Sequence, residues 1–227
     1  MAKVIALMGN KGAGKDTVAH YIKKNAKGFN KVYIMSFADA LKDATSVIFN
    51  FDRKMLEGAT PESRNWREEE IPYLSKVMRT KVTPRYLLQV IGTNILRRYL
   101  YDGIWVDSVV NKIVSTANDC YNTLFVITDC RFRNEIKALR ELYLYHPCID
   151  SVEFVEIDRC NRDTYVYNWA YTHNTTSNPL LKLYCRYKLR HVHRSEWDWI
   201  GVVKDPILIY NVGNLKNLEG LVKSLIL

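Results

Sequence analysis

Lys3-Val4-Ile5-Ala6-Leu7-Met8-Gly9-Asn10-Lys11-Gly12-Ala13-Gly14-Lys15-Asp16-Thr17 decides the reading of this chain. Residues 3–8 form an apolar, strand-like run, residues 17–24 carry a helical pattern, and a glycine-rich loop joins them. Glycine tolerates positive φ and lets the backbone approach a bulky anion, so successive N–H groups can converge on a phosphate. The helix that follows adds its own N-terminal donors and partial positive charge. A lysine at the position of Lys15 reaches the terminal phosphates of a nucleoside triphosphate, and the residue after it usually supplies a hydroxyl to Mg²⁺. Asp16 stands there instead, so either its carboxylate or the Thr17 hydroxyl is the expected metal ligand.

Outward from this loop, short runs rich in Val, Ile or Phe recur at 32–37, 124–128, 152–157 and 207–210, separated by helical patterns. That alternation predicts an α/β fold with a mostly parallel five-stranded sheet and helices on both faces. Apolar stripes at Leu41, Ala44 and Ile48, at Leu87, Leu88, Ile91 and Ile95, at Val106, Val109, Val110, Ile113 and Val114, and at Leu215, Leu218, Leu221, Val222 and Leu225 read as core. The chain of 227 residues is expected to be one domain. Two polar segments interrupt the rhythm: a substrate-binding excursion at about 52–83 and a lid-like insertion at about 160–199, the latter too long to lack its own helix.

Composition narrows the class. Apolar residues at 48 % argue against disorder, and no run approaches the ~20 apolar residues that span a bilayer. The loop begins so soon after Met1 that no signal peptide is expected, which predicts a cytoplasmic protein without a membrane partner. Cys120, Cys130, Cys148, Cys160 and Cys185 are scattered, and reduced thiols are expected rather than zinc or disulfides. The formal charge of +9 suits a polyanionic ligand, either small nucleotides or nucleic acid. A basic run, Arg186, Lys188, Arg190, His191, His193 and Arg194, is interleaved with Tyr184, Tyr187 and Trp197, and reads equally well as a solvated face.

Several constellations carry chemistry. Asp39 and Lys42 follow the second strand, where ligands of open α/β sheets bind, although Asp39 could equally cap a helix. Thr83 caps a helix with Pro84 in its first turn, setting Arg85, Gln89 and Gly92 or Thr93 along one face: a planar fork for phosphate and an amide for a base edge. Gly92 weakens a helix and so signals a close neighbour. Asp129 ends an apolar strand, and Arg131 lies two residues on, the pattern of a carboxylate near Mg²⁺ with a cation beside it. Arg159 follows the fourth strand. His193 and Glu196 either contact substrate or fix each other.

In this order the pieces resemble the deoxynucleoside monophosphate kinases of tailed bacteriophages and large DNA viruses, within the P-loop NMP kinase superfamily. The resemblance is carried by Gly14-Lys15-Asp16-Thr17, 37–42, Leu56-Glu57-Gly58 with Arg64 and Trp66-Arg67, Arg85 with Gln89 and Gly92-Thr93, Trp105, Asp129 with Arg131 and Glu135, and His193 with Ser195-Glu196. It implies the three-layer P-loop kinase fold with a lid insertion, ATP and Mg²⁺ as co-substrate and cofactor, and phosphoryl transfer to a deoxynucleoside monophosphate. Gly12, Ala13, Gly14, Lys15, Asp16, Thr17 and Asn211 would bind ATP. Lys11 would face the acceptor phosphate. Asp39, Lys42, Arg64, Arg85, Gln89, Thr93, Trp105, Glu135, His193 and Glu196 would serve the deoxynucleotide. Lys15, Asp16, Asp129, Arg131 and Arg159 would carry catalysis. A homodimer is implied, and nucleic acid is not the expected partner. The rivals are a P-loop kinase of another small phosphorylated metabolite, such as dephospho-coenzyme A, and a nucleic-acid-binding or polynucleotide-directed protein.

Overall fold

A computed structural model describes residues 1–119, 122–160 and 163–223, so Cys120 and Leu225 lie outside the described residues. Five strands form one sheet: β1 (Ala2–Met8), β2 (Lys31–Met35), β3 (Thr123–Ile127), β4 (Ile149–Asp158) and β5 (Ile207–Tyr210). All four pairings are parallel, in the order β2-β3-β1-β4-β5. The chain is thus an α/β protein of the kind its sequence predicts, consistent with a P-loop kinase fold, and the sheet is wholly rather than mostly parallel.

Parallel strands need crossovers that cover both faces, so both alternating sets of side chains should be buried. On β1 that holds. Ile5 and Leu7 join Val18, Ala19 and Ile22 of α1 (Lys15–Asn25) and Leu218 and Val222 of α11 (Leu215–Lys223) in one cluster, while Val4, Ala6 and Met8 on the other face are equally buried. Helix α8 (Arg133–Tyr145) lies against β4, with Ile136, Leu139 and Leu142 inside.

The chain divides into two compact units, Met1–Ser36 with Val109–Leu227, and Phe37–Ser108. The first holds the whole sheet. After β4 it continues into α9 (Thr164–Thr175), α10 (Pro179–Lys188) and a 3₁₀ turn at Arg194–Glu196, so the 160–199 segment does contain helix. Asp163 caps α9 through Tyr165 N and Val166 N, and Asn178 caps α10 through Leu180 N and Leu181 N.

The second unit is helical: α2 (Asp39–Phe49), α3 (Arg53–Glu57), α4 (Pro61–Trp66), α5 (Pro72–Met78), α6 (Pro84–Gln89), a π-helix (Val90–Leu100) and the start of α7 (Ile104–Asp119). Thr83 caps α6 as expected, its Oγ1 accepting from Tyr86 N at 3.1 Å. Two expectations are corrected here. The turn of α6 ends at Gln89, and i→i+5 bonding then widens the helix, so the one-face spacing from Arg85 through Gln89 does not extend to Thr93. The apolar stripes are also not all core, since Ile48 is 64 % and Ile95 47 % exposed, and Leu215 and Leu221 are exposed as well.

Gly92 has the close neighbour its cost implied: a Cβ there would come 2.5 Å from Leu41 Cδ2 of α2. Among the described residues Cys130, Cys148, Cys160 and Cys185 are free thiols. No described helix is long and apolar enough to cross a membrane.

Candidate functional site

The carboxyl ends of the five strands deliver a glycine and four polar residues within the first unit. Gly9 follows β1, Ser36 follows β2, Asp129 follows β3, Arg159 follows β4 and Asn211 follows β5. This is the edge where open parallel sheets bind ligands, next to the central strand β1, whose two neighbours are reached in opposite directions.

The loop after β1 is built by backbone geometry. Gly14 sits at φ 101°, and a Cβ there would come 2.6 Å from Asn211 Nδ2, so both conformation and space demand glycine. Gly9, at φ 138°, would drive a Cβ into the Ile157 carbonyl. Asn211 Nδ2 donates to Ala13 O at 2.8 Å, and Arg159 Nη1 donates to Gly12 O at 3.0 Å, tying β5 and β4 to the loop. Lys15 is buried, and its Nζ donates to Gly9 O and Asn10 O, both at 2.8 Å. Burial, and after it the Arg131 charge, lowers its pKa to about 8, while Asp16, Glu196 and Asp129 pull the other way. Asp16 and Thr17 stand exposed in the first turn of α1.

A second layer surrounds this loop. Ser36 Oγ donates to Asp129 Oδ2 at 2.6 Å, fixing that carboxylate at the end of β3. Arg131 Nη1 donates to Glu196 Oε1 at 3.3 Å, and Glu196 Oε2 accepts from Lys11 N at 3.4 Å, so one carboxylate bridges the loop tip and the arginine. His193 and Glu196 meet through the backbone, Glu196 N donating to His193 O at 3.0 Å, while His193 Nδ1 pairs with Ser195 Oγ at 2.8 Å and Ser195 N at 3.3 Å, capping the 3₁₀ turn. Glu135 is buried, and its Oε2 accepts from Arg131 N at 2.7 Å and Phe132 N at 3.0 Å. That is a helix-start bond of α8 rather than a surface offered to ligand, and it fixes the backbone that carries Arg131.

Three residues that the sequence reading passed over lock the 194–200 turn to α8. Buried Asp198 accepts from Arg133 N at 3.1 Å and Arg194 Nη2 at 3.2 Å, and Asn174 Nδ2 donates to the carbonyls of Trp197, Asp198 and Ile200. Arg133 Nη2 in turn donates to Asn174 Oδ1 at 2.9 Å. The signal available in sequence was the acid at Asp198 two residues beyond Glu196. Nothing local pointed to Asn174. Cys130, beside Asp129, has its thiol pushed well up by burial and is chemically quiet.

In the second unit the charges are already matched. Asp39 is the first residue of α2, not its cap, and pairs with Arg53. Lys42 Nζ lies 2.7 Å from Glu57 Oε2 and 4.0 Å from Asp39 Oδ1. Arg53 also pairs with Asp43 and Glu57. Burial pushes the Glu57 carboxyl up, but Lys42 and then Arg53 outweigh it and hold the pKa below the usual value. Arg64 donates to Gly58 O and Ala59 O, both at 3.0 Å, closing the turn between α3 and α4. Arg85 forms an ion contact with Glu68 through Nε, without hydrogen-bond alignment among the described residues. Gln89 and Thr93 are exposed. Trp105 is buried, and its Nε1 donates to Gly92 O at 3.0 Å, so it packs within the second unit.

An oxygen-donor set is present for a hard cation, with Asp16, Thr17 and Asp129 all in the first unit, although no described cluster of three or more His, Cys, Asp or Glu could hold a metal by itself. A magnesium ion that shares its shell with phosphates and waters needs only one or two carboxylates, so these residues fit it.

No family model matches the chain. Among solved structures it aligns with a sugar kinase from Janibacter sp. HTCC2649 at 15 % identity and a TM-score of 0.39, covering 100 % of this chain and 93 % of that one. It aligns with the tunicamycin resistance protein of Deinococcus radiodurans at 12 % identity and a TM-score of 0.41, covering 99 % and 96 %. Likeness of that size carries no argument about function. In sequence the chain is 33 % identical over 160 residues to a protein of Acanthamoeba polyphaga mimivirus that bears the provisional name deoxynucleotide monophosphate kinase. The alignment covers 65 % of this chain and 73 % of that relative, and by this identity the chain belongs to the deoxynucleotide monophosphate kinase family.

Proposed function

We propose that the protein transfers the γ-phosphoryl group of ATP to a deoxynucleoside 5′-monophosphate, releasing ADP and the diphosphate. The observation that carries this reading is Lys15, buried in a left-handed glycine loop at the end of the central strand, in a chain whose mimivirus relative bears the name of such a kinase. The amides of Gly12 to Thr17 and the Lys15 ammonium grip the triphosphate, which requires Lys15 to exchange the Gly9 and Asn10 carbonyls for phosphate oxygens. Asn211, anchored on Ala13 O, stands at the end of β5 beside the nucleoside end of ATP.

The acceptor phosphate is already mostly dianionic at neutral pH, its second pKa being ~6, so no strong general base is needed. Rate enhancement comes from alignment and from cations that match the charge spread over the transferring group. Arg131 and Arg159 supply them, with Lys11 at the loop tip. Asp16 or Thr17, with Asp129, would hold Mg²⁺, which neutralises phosphate charge when bound. Lys42, Arg64, Arg85, Gln89 and Thr93 take the monophosphate, with Asp39, Glu57 and Glu68 holding Lys42 and Arg85 until the substrate anion replaces them. His193 and Glu135 act by holding their turns in place.

A coupled assay of ADP release with each of the four deoxynucleoside monophosphates, and with dephospho-coenzyme A, tests the reading. Turnover that depends on a monophosphate is expected. Turnover with dephospho-coenzyme A alone, or ATP hydrolysis indifferent to any acceptor, would overturn it.

A further inference from the structure

Between Asp163 and Glu196 the chain has no acidic residue, yet it carries Lys182, Arg186, Lys188, Arg190 and Arg194. Residues 164–195 thus carry a formal charge of +5, with five of the chain's 33 Lys and Arg and none of its 24 Asp and Glu. The mechanism proposed above uses none of the cations of α10. On that helix Leu180, Leu183, Tyr184 and Tyr187 recur at the spacing of one face, and all four are exposed, from 48 % to 76 %. Together with Arg186 and Arg190 they line an open hollow of about 580 Å³. Cations and rings are layered: the Arg190 guanidinium lies 4.1 Å from the Tyr187 ring centre, and Lys188 Nζ lies 5.1 Å from that of Tyr184 and 5.7 Å from that of Trp169. Trp169 of α9 meets Tyr184 edge-on at 5.4 Å, which braces the two helices against each other.

We infer that this face of the α9–α10 hairpin binds single-stranded nucleic acid. A polyanion whose repeating units also carry flat apolar faces matches both kinds of lining: Arg186 and Arg190 neutralise phosphates, and the leucines and tyrosines receive unstacked bases. An anionic bilayer matches it less well. The apolar side chains share a hollow with their cations instead of standing beyond them, and α10 offers only ten residues to lie in an interface. A duplex hides its base faces, so the single strand is favoured.

The test is fluorescence anisotropy of a labelled 20-nucleotide deoxythymidine strand titrated with the full chain. Saturable binding is expected near 50 mM salt, weakening with a log–log slope of about −2 if three cations each displace a counterion. The double variant Arg186→Glu/Arg190→Glu should lose about tenfold or more in affinity while keeping its thermal midpoint and its monophosphate-dependent turnover. Tyr184→Ala/Tyr187→Ala should lose about tenfold by removing the stacking rings, with circular dichroism confirming the fold. No saturable binding at 50 mM salt, binding untouched by the charge reversal, stronger binding of a duplex of equal length, or co-sedimentation with phosphatidylserine vesicles in place of strand binding would each overturn it. These outcomes do not depend on the kinase reading, which the turnover assay judges separately.

Discussion

The loop around Lys15 and the cluster around Arg53 both gather charge, but they do so by different means. In the first unit the binding geometry is written into the backbone: left-handed glycines, carbonyls held by Asn211 and Arg159, and one buried lysine with its pKa lowered to about 8. In the second unit the charges compensate one another through side chains, Arg53 reaching Asp39, Asp43 and Glu57, and Lys42 also reaching Glu57. A backbone cradle keeps its donors aimed whatever the side chains do. A side-chain cluster can rearrange and gives way when a stronger anion arrives. Substitutions should therefore act steeply in the first region and shallowly in the second.

The steepest effect should come from Lys15→Ala. Removing a cation that tracks the transferred group should lower turnover by about a thousandfold, in the range known for preorganised electrostatic donors. Single-turnover ADP release would measure it. A loss of less than tenfold would erase the contrast, because the cradle would then be no more critical than the paired cluster.

Acidity offers a second probe of the same lysine. Its folded pKa of about 8 lies below the ordinary 10.5, so the unfolded chain binds more protons between those values. Lys15 therefore contributes to stability with a sign that favours the fold as pH rises from about 8 towards 10.5. ATP affinity should move the other way, falling up to about tenfold per pH unit above 8, since the triphosphate needs the ammonium. Calorimetry in buffers of different ionisation enthalpy should register proton uptake on ATP binding at pH 8.5. Binding without proton uptake would mean that Lys15 is not the group gripped by the phosphates.

Between these extremes lies packing in the second unit. Gly92→Ala forces a methyl group into Leu41 and should cost about 1–3 kcal/mol, seen as a lowered thermal midpoint. Trp105→Phe keeps most of the apolar bulk but strands the Gly92 carbonyl, for about 1 kcal/mol. If both variants melt like the parent, then the π-helix is not held by that contact.

What could be read beforehand follows the same division. The five strands and the loop were legible because each is a local pattern: an apolar run, then glycines, lysine and a helix. Thr83 with Pro84 announced a helix start for the same reason. The π-helix was not legible, since nothing in residues 90–100 distinguishes i→i+5 from i→i+4 bonding before α2 and Trp105 pack on Gly92. Lys42 could be named as a candidate, but its partner Glu57 lies fifteen residues away across a turn, and no periodicity joins them. Glu135 is a different case. It entered as a candidate through the resemblance, while its bonds to Arg131 N and Phe132 N depend on how the chain turns into α8.

The smallest effect should come from Glu57→Gln, and it is the sharpest check on the shallow side of the contrast. Lys42, Arg53 and Glu57 have side chains 14 %, 28 % and 39 % exposed, so solvent screens their attraction and the loss should stay below about 1 kcal/mol. Because the carboxyl pKa is depressed in the fold, the wild-type contribution is present above the ordinary value of 4.5 and fades as pH falls through the lower folded value. The variant and the parent should therefore converge in stability at acid pH and differ slightly at pH 7. Releasing Lys42 from its partner should also lower the KM for the monophosphate with kcat little changed, as expected of a cation freed for uniform binding. A fall in kcat instead would show that the cluster shapes the transition state, and that the second unit is as finely set as the loop around Lys15.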